Sequence, residues 1–265
     1  MTGAAGVVRD LALLERLADA EATGDPGLGV SALSELVGRE KSQVSRALGR
    51  LASAGLVERA PDRRYRIGWR VYAIAARTAR GQLLPAALGP MRALSGDIGE
   101  TVHLCVLDGD GIVTLRSELP GHGFRGVGWV GTRVAAQGTS AGRALLMDAT
   151  APDLAERFAG ASFVPTGPRP RVRDVETLAD VVAEARRTGY AAVDEEFEAG
   201  VAGVSAPIRD FTGTVVAALN VSAPAVRLRA KLPEVGERTR EAAESVSREL
   251  GWGAGSSRTG FAGPS

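Results

Sequence analysis

Four carboxylates occupy five positions in DEEFE, residues 194–198: Asp194, Glu195, Glu196 and Glu198. On an extended strand Asp194, Glu196 and Glu198 share a face, with neighbours about 6.6 Å apart. That separation suits the acid and base of an inverting glycosidase; adjacent carboxylates also read as a solvated or salt-bridged strip. GTSAG, residues 138–142, matches the G-x-S-x-G nucleophile elbow of hydrolases. Both histidines, His103 and His122, precede Ser140, so the order Ser, acid, His is not available. The small residues instead open a helix, whose free N–H groups can hold a carboxylate or carbonyl. GHGFRG, residues 121–126, satisfies G-x-G-x-x-G, but the valine-rich VGWVGTRV that follows reads as a loop leading to a strand, whereas a dinucleotide fingerprint must open a helix. His103 and Cys105 share one face of a strand; a redox or nucleophilic pair is conceivable, and without a placed acid strand packing is the stronger reading.

The chain that must position these groups has 265 residues, 45% of them apolar, enough for about two domains. A single cysteine excludes an internal disulfide and a multi-thiolate zinc site, and with two histidines no metal or cofactor is expected. No stretch approaches the roughly 20 apolar residues of a membrane span, and MTGAAGVVRD lacks a signal-peptide pattern, so a cytoplasmic protein with no membrane partner is expected. The net charge of +1 hides an asymmetry: Leu36 to Arg80 holds eleven Lys or Arg against three acids, a balance of +8, leaving −7 for the remainder. A basic module joined to an acidic one points to a polyanion partner for the first.

In that module Val7, Leu11, Leu14 and Ala18 recur at helical spacing, predicting a helix over 8–22. GDPGLG breaks it. Ser31 can cap a second helix with Leu33, Leu36 and Val37 on one face, and Gly38 ends it. KSQVSRALGRLAS then aligns Val44, Leu48 and Leu51, leaving Ser42, Gln43, Ser45, Arg46 and Arg50 opposite. LVERAPDRRYRIG reads as a basic hairpin turning at 60–63. The layout is that of a winged helix-turn-helix, whose third helix enters the DNA major groove while the hairpin grips phosphate. Gln43 and Arg46 are the best base readers, through adenine and guanine respectively; Lys41, Arg63, Arg64 and Arg66 suit phosphates. Trp69 to Arg80 predicts a joining helix.

From about residue 83 helices and strands alternate. Strands 101–107 and 112–118 flank DGDG, a hairpin signal. Helices are expected over 140–148 and 152–159. Asp174 caps a helix that Gly189 stops, and YAAVDEE follows as a strand. VSAPIRD and TVVAALNVSAP form a second hairpin, and a last helix runs from Pro233 to Leu250.

The segments REKSQVSRALGRLASAGLVER, DRRYRIG, GETVHLCVLDGD, TSAGRALL, RRTGYAAVDEEFEAGV and APIRDFTGTVVAALNVSAP, in this order and spacing, resemble the IclR family of bacterial transcriptional regulators over roughly residues 7–250. The resemblance implies an α+β chain: a winged helix-turn-helix over 7–68, a linker helix over 69–82, a GAF-like α/β effector-binding domain over 83–250 and a disordered tail over 251–265. It also implies a homo-oligomer, a dimer or dimer of dimers, on palindromic double-stranded operator DNA, with a small organic effector altering operator affinity through the linker.

By the same resemblance the backbone at Ser140 and Ala141 faces the effector, and the segment around Asp194 borders the pocket. Family members that bind small acids commonly carry Asp where this chain has Val193 and Cys where it has Gly203, and family serines correspond to Asn220 and Ser222. The lost acid and thiol leave a roomier, less polar pocket, so an effector larger than glyoxylate, or aromatic, is expected. Phe124 and Trp129 are expected either to line that pocket or to serve ordinary packing. Two other readings stand beside this one: a hydrolase using Ser140 or the acid cluster, and an effector-independent dimeric DNA-binding protein.

Overall fold

The computed structural model describes residues 2–76, 79–120 and 129–253, and the chain divides into two compact units, residues 1–81 and 82–265. Phe124 and most of the predicted tail lie outside the described residues.

In the first unit, α1 (Thr2–Ala22), α2 (Val30–Val37) and α3 (Lys41–Ser53) enclose one core with a hairpin, β1 (Val57–Arg59) and β2 (Tyr65–Ile67). The core draws on Leu13 and Leu17 of α1, Leu33 of α2, and Val44, Leu48 and Leu51 of α3. The structure adds one point on α1 and corrects one on α2. The stripe of α1 that packs is Leu13, Leu17 and Ala20, whereas Val7 and Leu11 face outward: α1 carries two apolar stripes, and periodicity alone does not say which meets the core. On α2 Leu33 is buried but Leu36 is exposed, and Gly29, with Ser31 already inside the helix, is the N-cap residue.

Gly38 ends α2 in the left-handed region, at φ 63, and its N–H returns to the Glu35 carbonyl. That reversal lets α3 start three residues later, at Lys41, the tight turn of the motif. The hairpin turn is closed by Ala60 N–H on the Arg64 carbonyl at 2.8 Å. Glu21 of α1 accepts from Ile67 N–H at 2.7 Å and from the Tyr72 hydroxyl at 3.1 Å. It thereby ties the hairpin to α4 (Trp69–Ala76).

The second unit opens with α5 (Leu83–Ile98). Its sheet contains β3 (Thr101–Asp108), β4 (Gly111–Glu118), β5 (Arg133–Ala135), β6 (Ala191–Asp194), β7 (Val201–Arg209) and β8 (Val215–Pro224). The spatial order is β5-β4-β3-β8-β7-β6, with every pair antiparallel. The β3–β4 turn is the predicted one, with Gly109 at φ 59 supplying the left-handed residue a two-residue hairpin requires. α5 and α10 (Leu232–Glu249), the latter reached through α9 (Ala225–Leu228), cover one face. α6 (Ser140–Leu145), α7 (Ala151–Arg157) and α8 (Val175–Thr188) contribute to a second core on the other. Asp174 and Gly189 bound α8 as expected, by a capping box and a left-handed C-cap.

Strand alternation sorts the central strands into two phases. Val102 and Leu104 of β3, Val204 and Ala206 of β7, and Leu219 and Val221 of β8 pack in the core with α5 and α10. The opposite phase holds His103 and Cys105, Gly203 and Ser205, and Asn220 and Ser222. The chain enters α6 through a tight loop in which Gly142 sits against the backbone of Ala136, where a Cβ would collide with the carbonyl. Gly142→Ala is therefore expected to destabilise the protein by about 2–3 kcal/mol; a denaturant midpoint unchanged from wild type would contradict this packing.

Candidate functional site

The polar phase of β3, β7 and β8 forms the floor of a cavity of about 730 Å³ in the second unit, within the range of small-molecule sites. Two networks organise the floor. His103 is bracketed by the Ser117 hydroxyl at Nδ1, 2.8 Å, and the Ser222 hydroxyl at Nε2, 3.0 Å. Burial pushes its pKa down to about 4, so the ring is neutral near pH 7. In the second network the Asn220 amide donates to Ser205 Oγ at 2.8 Å and to Ser140 Oγ at 3.0 Å, and Ser205 Oγ donates to Ser140 Oγ at 2.9 Å. A Cβ at Gly203 would stand 3.1 Å from Ser140 Oγ. Glycine leaves that space open.

The rest of the lining is largely apolar. Ile112, Val134, Val193 and Ala141 form walls, and Trp129 meets Phe197 edge to face across 6.1 Å. Glu100, Glu198 and Arg227 supply the charges, and Arg227 is bidentate to Glu100 at 2.6 and 2.7 Å.

The acid run is neither aligned nor catalytic in layout. β6 ends at Asp194 and Glu195 turns the chain at φ 57, which breaks the shared face predicted for Asp194, Glu196 and Glu198. Asp194 pairs with Arg229 at 2.7 Å and Arg169 at 3.2 Å, which hold its carboxyl below the usual range. Glu195 meets the same two arginines. Glu196 is buried against Arg143, with side-chain exposures of 5% and 2%, through bonds of 3.0 and 2.5 Å, and also accepts from Arg171 N–H at 3.1 Å. Only Glu198 of the four lines the cavity.

The structure brings Trp129, Ser140, Ala141, Val193, Gly203, Asn220 and Ser222 together around one cavity. Asp194 does not line it, because its two arginines hold it outside. His103, Cys105, Thr114, Phe197, Glu100 and Arg227 also line the cavity and were not assigned to it from sequence. For His103 and Cys105 the signal existed, in the period-2 pattern. Neither is disposed for nucleophilic chemistry: the Cys105 thiol is buried, which raises its pKa to about 12, and both His103 nitrogens face serines other than Ser140. Among the described residues no group of three or more His, Cys, Asp or Glu is placed to hold a metal ion.

In the first unit α3 exposes Lys41, Ser42, Gln43, Ser45, Arg46 and Arg50 on the side opposite its core residues. Arg50 is paired with Asp10 at 2.9 Å, Arg66 with Glu58 at 3.0 Å, and Arg64 with Asp25 and Asp62. Lys41, Arg46 and Arg63 have no ion pair among the described residues. Arg63 occupies the hairpin turn at φ 67.

Comparison with known proteins settles what these two units are. Residues 6–61 match the IclR helix-turn-helix domain and residues 76–248 match the C-terminal domain of the bacterial transcriptional regulator IclR. The chain belongs to the IclR family. It is a transcriptional regulator with a helix-turn-helix DNA-binding domain and a ligand-binding C-terminal domain. Among IclR-family relatives, the transcriptional regulator KdgR of Escherichia coli is 28% identical over 85% of this chain and 86% of its own. The IclR of Thermotoga maritima superposes with a TM-score of 0.67 at 25% identity, covering 93% and 98% of the two chains. An IclR homologue from Microbacterium hydrocarbonoxydans, solved with 4-hydroxybenzoate, gives 0.70 at 26% identity over 92% and 98%.

Two consequences can be measured on this IclR-family domain. Unfolded His103 takes up its proton below about pH 6.5, whereas the folded protein resists until about 4. Its contribution to stability is thus complete above that window and is lost as pH falls through it, by up to about 3 kcal/mol; His103→Gln should remove this part of the pH dependence, seen in denaturant midpoints between pH 7 and 4. The second concerns the buried pair. Glu196→Gln, which strands the Arg143 charge, should cost about 3–5 kcal/mol, while replacing both partners by Met and Leu should recover most of that loss. If the double variant is as unstable as the single one, the pair is held by more than charge compensation.

Proposed function

We propose that this IclR-family regulator binds a palindromic operator as a homo-oligomer in the cytoplasm, and that an organic effector in the 730 Å³ cavity shifts its operator affinity. The observation that carries this reading is the cavity itself: a floor of hydrogen-bonded neutral groups under an apolar, aromatic wall, built from the polar phase of three adjacent strands. Its size favours an effector larger than glyoxylate, or aromatic. The buried Cys105, the arginine-bound acids and a Ser140 whose hydroxyl meets Ser205 and Asn220, with no histidine beside it among the described residues, support a binding role over a hydrolytic one.

Self-association is supported by the first unit. Val7, Val8 and Leu11 of α1 and Trp69, Tyr72 and Ile74 of α4 are exposed, apolar side chains that a second copy would cover. A two-fold pair of heads matches a palindromic operator. The DNA face is read as Gln43 and Arg46 toward bases, with Ser42 and Ser45 beside them and Lys41 and Arg63 toward phosphates. Arg50, Arg64 and Arg66, being ion-paired within the protein, contribute less.

Arg46→Ala is expected to lose about 1–3 kcal/mol on the cognate operator and to relax its sequence preference, whereas Lys41→Ala should weaken all DNA alike and lower the salt slope by about one. Fluorescence anisotropy over a salt series separates the two patterns, and equal effects on cognate and random DNA for both variants would refute the assignment. The effector reading is tested by a thermal-shift screen of metabolites followed by operator titration with each hit: a ligand of the native state must raise Tm. No hit across chemical classes would leave DNA binding without effector control.

A further inference from the structure

We infer that the effector is an uncharged molecule carrying a hydroxyl on an aromatic ring, not a carboxylate; this rests on the cavity being the effector site. The argument begins with how the floor uses its hydrogen-bonding groups. The Asn220 amide nitrogen also lies 3.4 Å from the Val204 carbonyl, a contact that only the NH2 end can make, so the orientation of the amide is fixed. Its two protons serve Ser205 and Ser140, one of them shared with the more distant Val204 carbonyl, and the Ser205 proton goes to Ser140. Two valences are left over: the Ser140 hydroxyl, which only accepts in these bonds, retains its own proton, and the Asn220 carbonyl oxygen has no partner among the described residues. A donor beside an acceptor is the complement of a hydroxyl, which both accepts and donates. A carboxylate could take the Ser140 proton only with its charge against the Asn220 carbonyl.

The charges of the lining point the same way. Arg227 already gives both arms of its guanidinium to Glu100, and Glu198 adds a further carboxylate. His103 is held between two serines and is neutral near pH 7. An acid entering this cavity would find the backbone N–H groups that open α6 but no free cation among the described residues, and desolvating a charge without a countercharge is unfavourable. The opposite wall, with Trp129 against Phe197, offers a ring both flat contact and an edge.

The probes are 4-hydroxybenzyl alcohol and 4-hydroxybenzamide against 4-hydroxybenzoate, with pyruvate and glucose as non-aromatic controls, measured on the full chain by thermal shift and calorimetry at pH 7.5. The neutral phenols are expected to raise Tm and to bind about tenfold or more tighter than the acid. Glu198→Gln should narrow the ratio of alcohol to acid affinity by about threefold, because one repelling carboxylate is gone. Equal or tighter binding of 4-hydroxybenzoate, or an unchanged ratio in the variant, overturns the inference while leaving the cavity an effector site. Binding of pyruvate or glucose alone does the same. Silence from every probe rejects the aromatic class, and the wider metabolite screen then decides separately whether the cavity binds an effector.

Discussion

The ion pair between Arg143 and Glu196 is the interaction on which the site depends. Arg143 belongs to α6, which roofs the cavity, and Glu196 to the turn after β6, whose next residue, Phe197, forms part of the aromatic wall. Joining them fixes the spacing of two walls that no backbone ladder connects. The geometry is strong: two parallel bonds, a third donor from Arg171 N–H, and almost no exposure. A pair so deeply buried gives little net stability compared with an apolar replacement. What it gives is placement, since both partners have unfavourable alternatives wherever they are not together. The acid run that first reads as chemistry is therefore mostly scaffolding, with three of its four carboxylates consumed by arginines.

Beneath those walls the cavity is a consequence of strand alternation. One phase of β3, β7 and β8 is almost wholly aliphatic and is buried under α5 and α10. The other carries His, Ser, Asn and Gly where a second hydrophobic layer would need Leu or Val. α6 covers this face at one end, and the cavity remains where small or polar residues cannot fill the gap. His103 is held at both ring nitrogens and the Asn220 amide nitrogen at two serine hydroxyls, so most of the polar hydrogen-bonding capacity of this face is met within it.

Much of this was legible in the sequence, for local reasons. The third helix, both hairpins and the caps at Asp174 and Gly189 follow from periodicity and turn chemistry, and the family resemblance carried Ser140, Gly203, Asn220 and Ser222 to positions that the fold gathers around one cavity. The misses have equally specific causes. The resemblance places Asp194 at the pocket, and reading YAAVDEE as one strand gives Asp194, Glu196 and Glu198 a shared face. A non-glycine residue at φ 57, Glu195, ends it unannounced. Glu100 and Arg227 meet across 127 positions, and no local pattern records that pairing. On α1 periodicity predicts the helix but not which of its two apolar stripes packs, and the exposed one is informative in its own right.

Regulation requires that a molecule in the cavity alter something that α5, which starts at the boundary between the units, can sense. The path is short. His103 and Asn220 face the cavity, while their strand neighbours Leu104 and Leu219 turn to the other side of the sheet and share a core with Met91 of α5. Close-packed interiors transmit displacement rather than absorb it. A ligand hydroxyl that pulls β8 and α6 together at Ser140 and Asn220 therefore acts on residues whose backs bear on α5. Such a pull biases the heads only if the ligand binds the two arrangements with different affinity. Under the inference above, the leftover donor and acceptor would supply that difference, because they sit on two elements, α6 and β8, and a single hydroxyl would bridge them only at one separation.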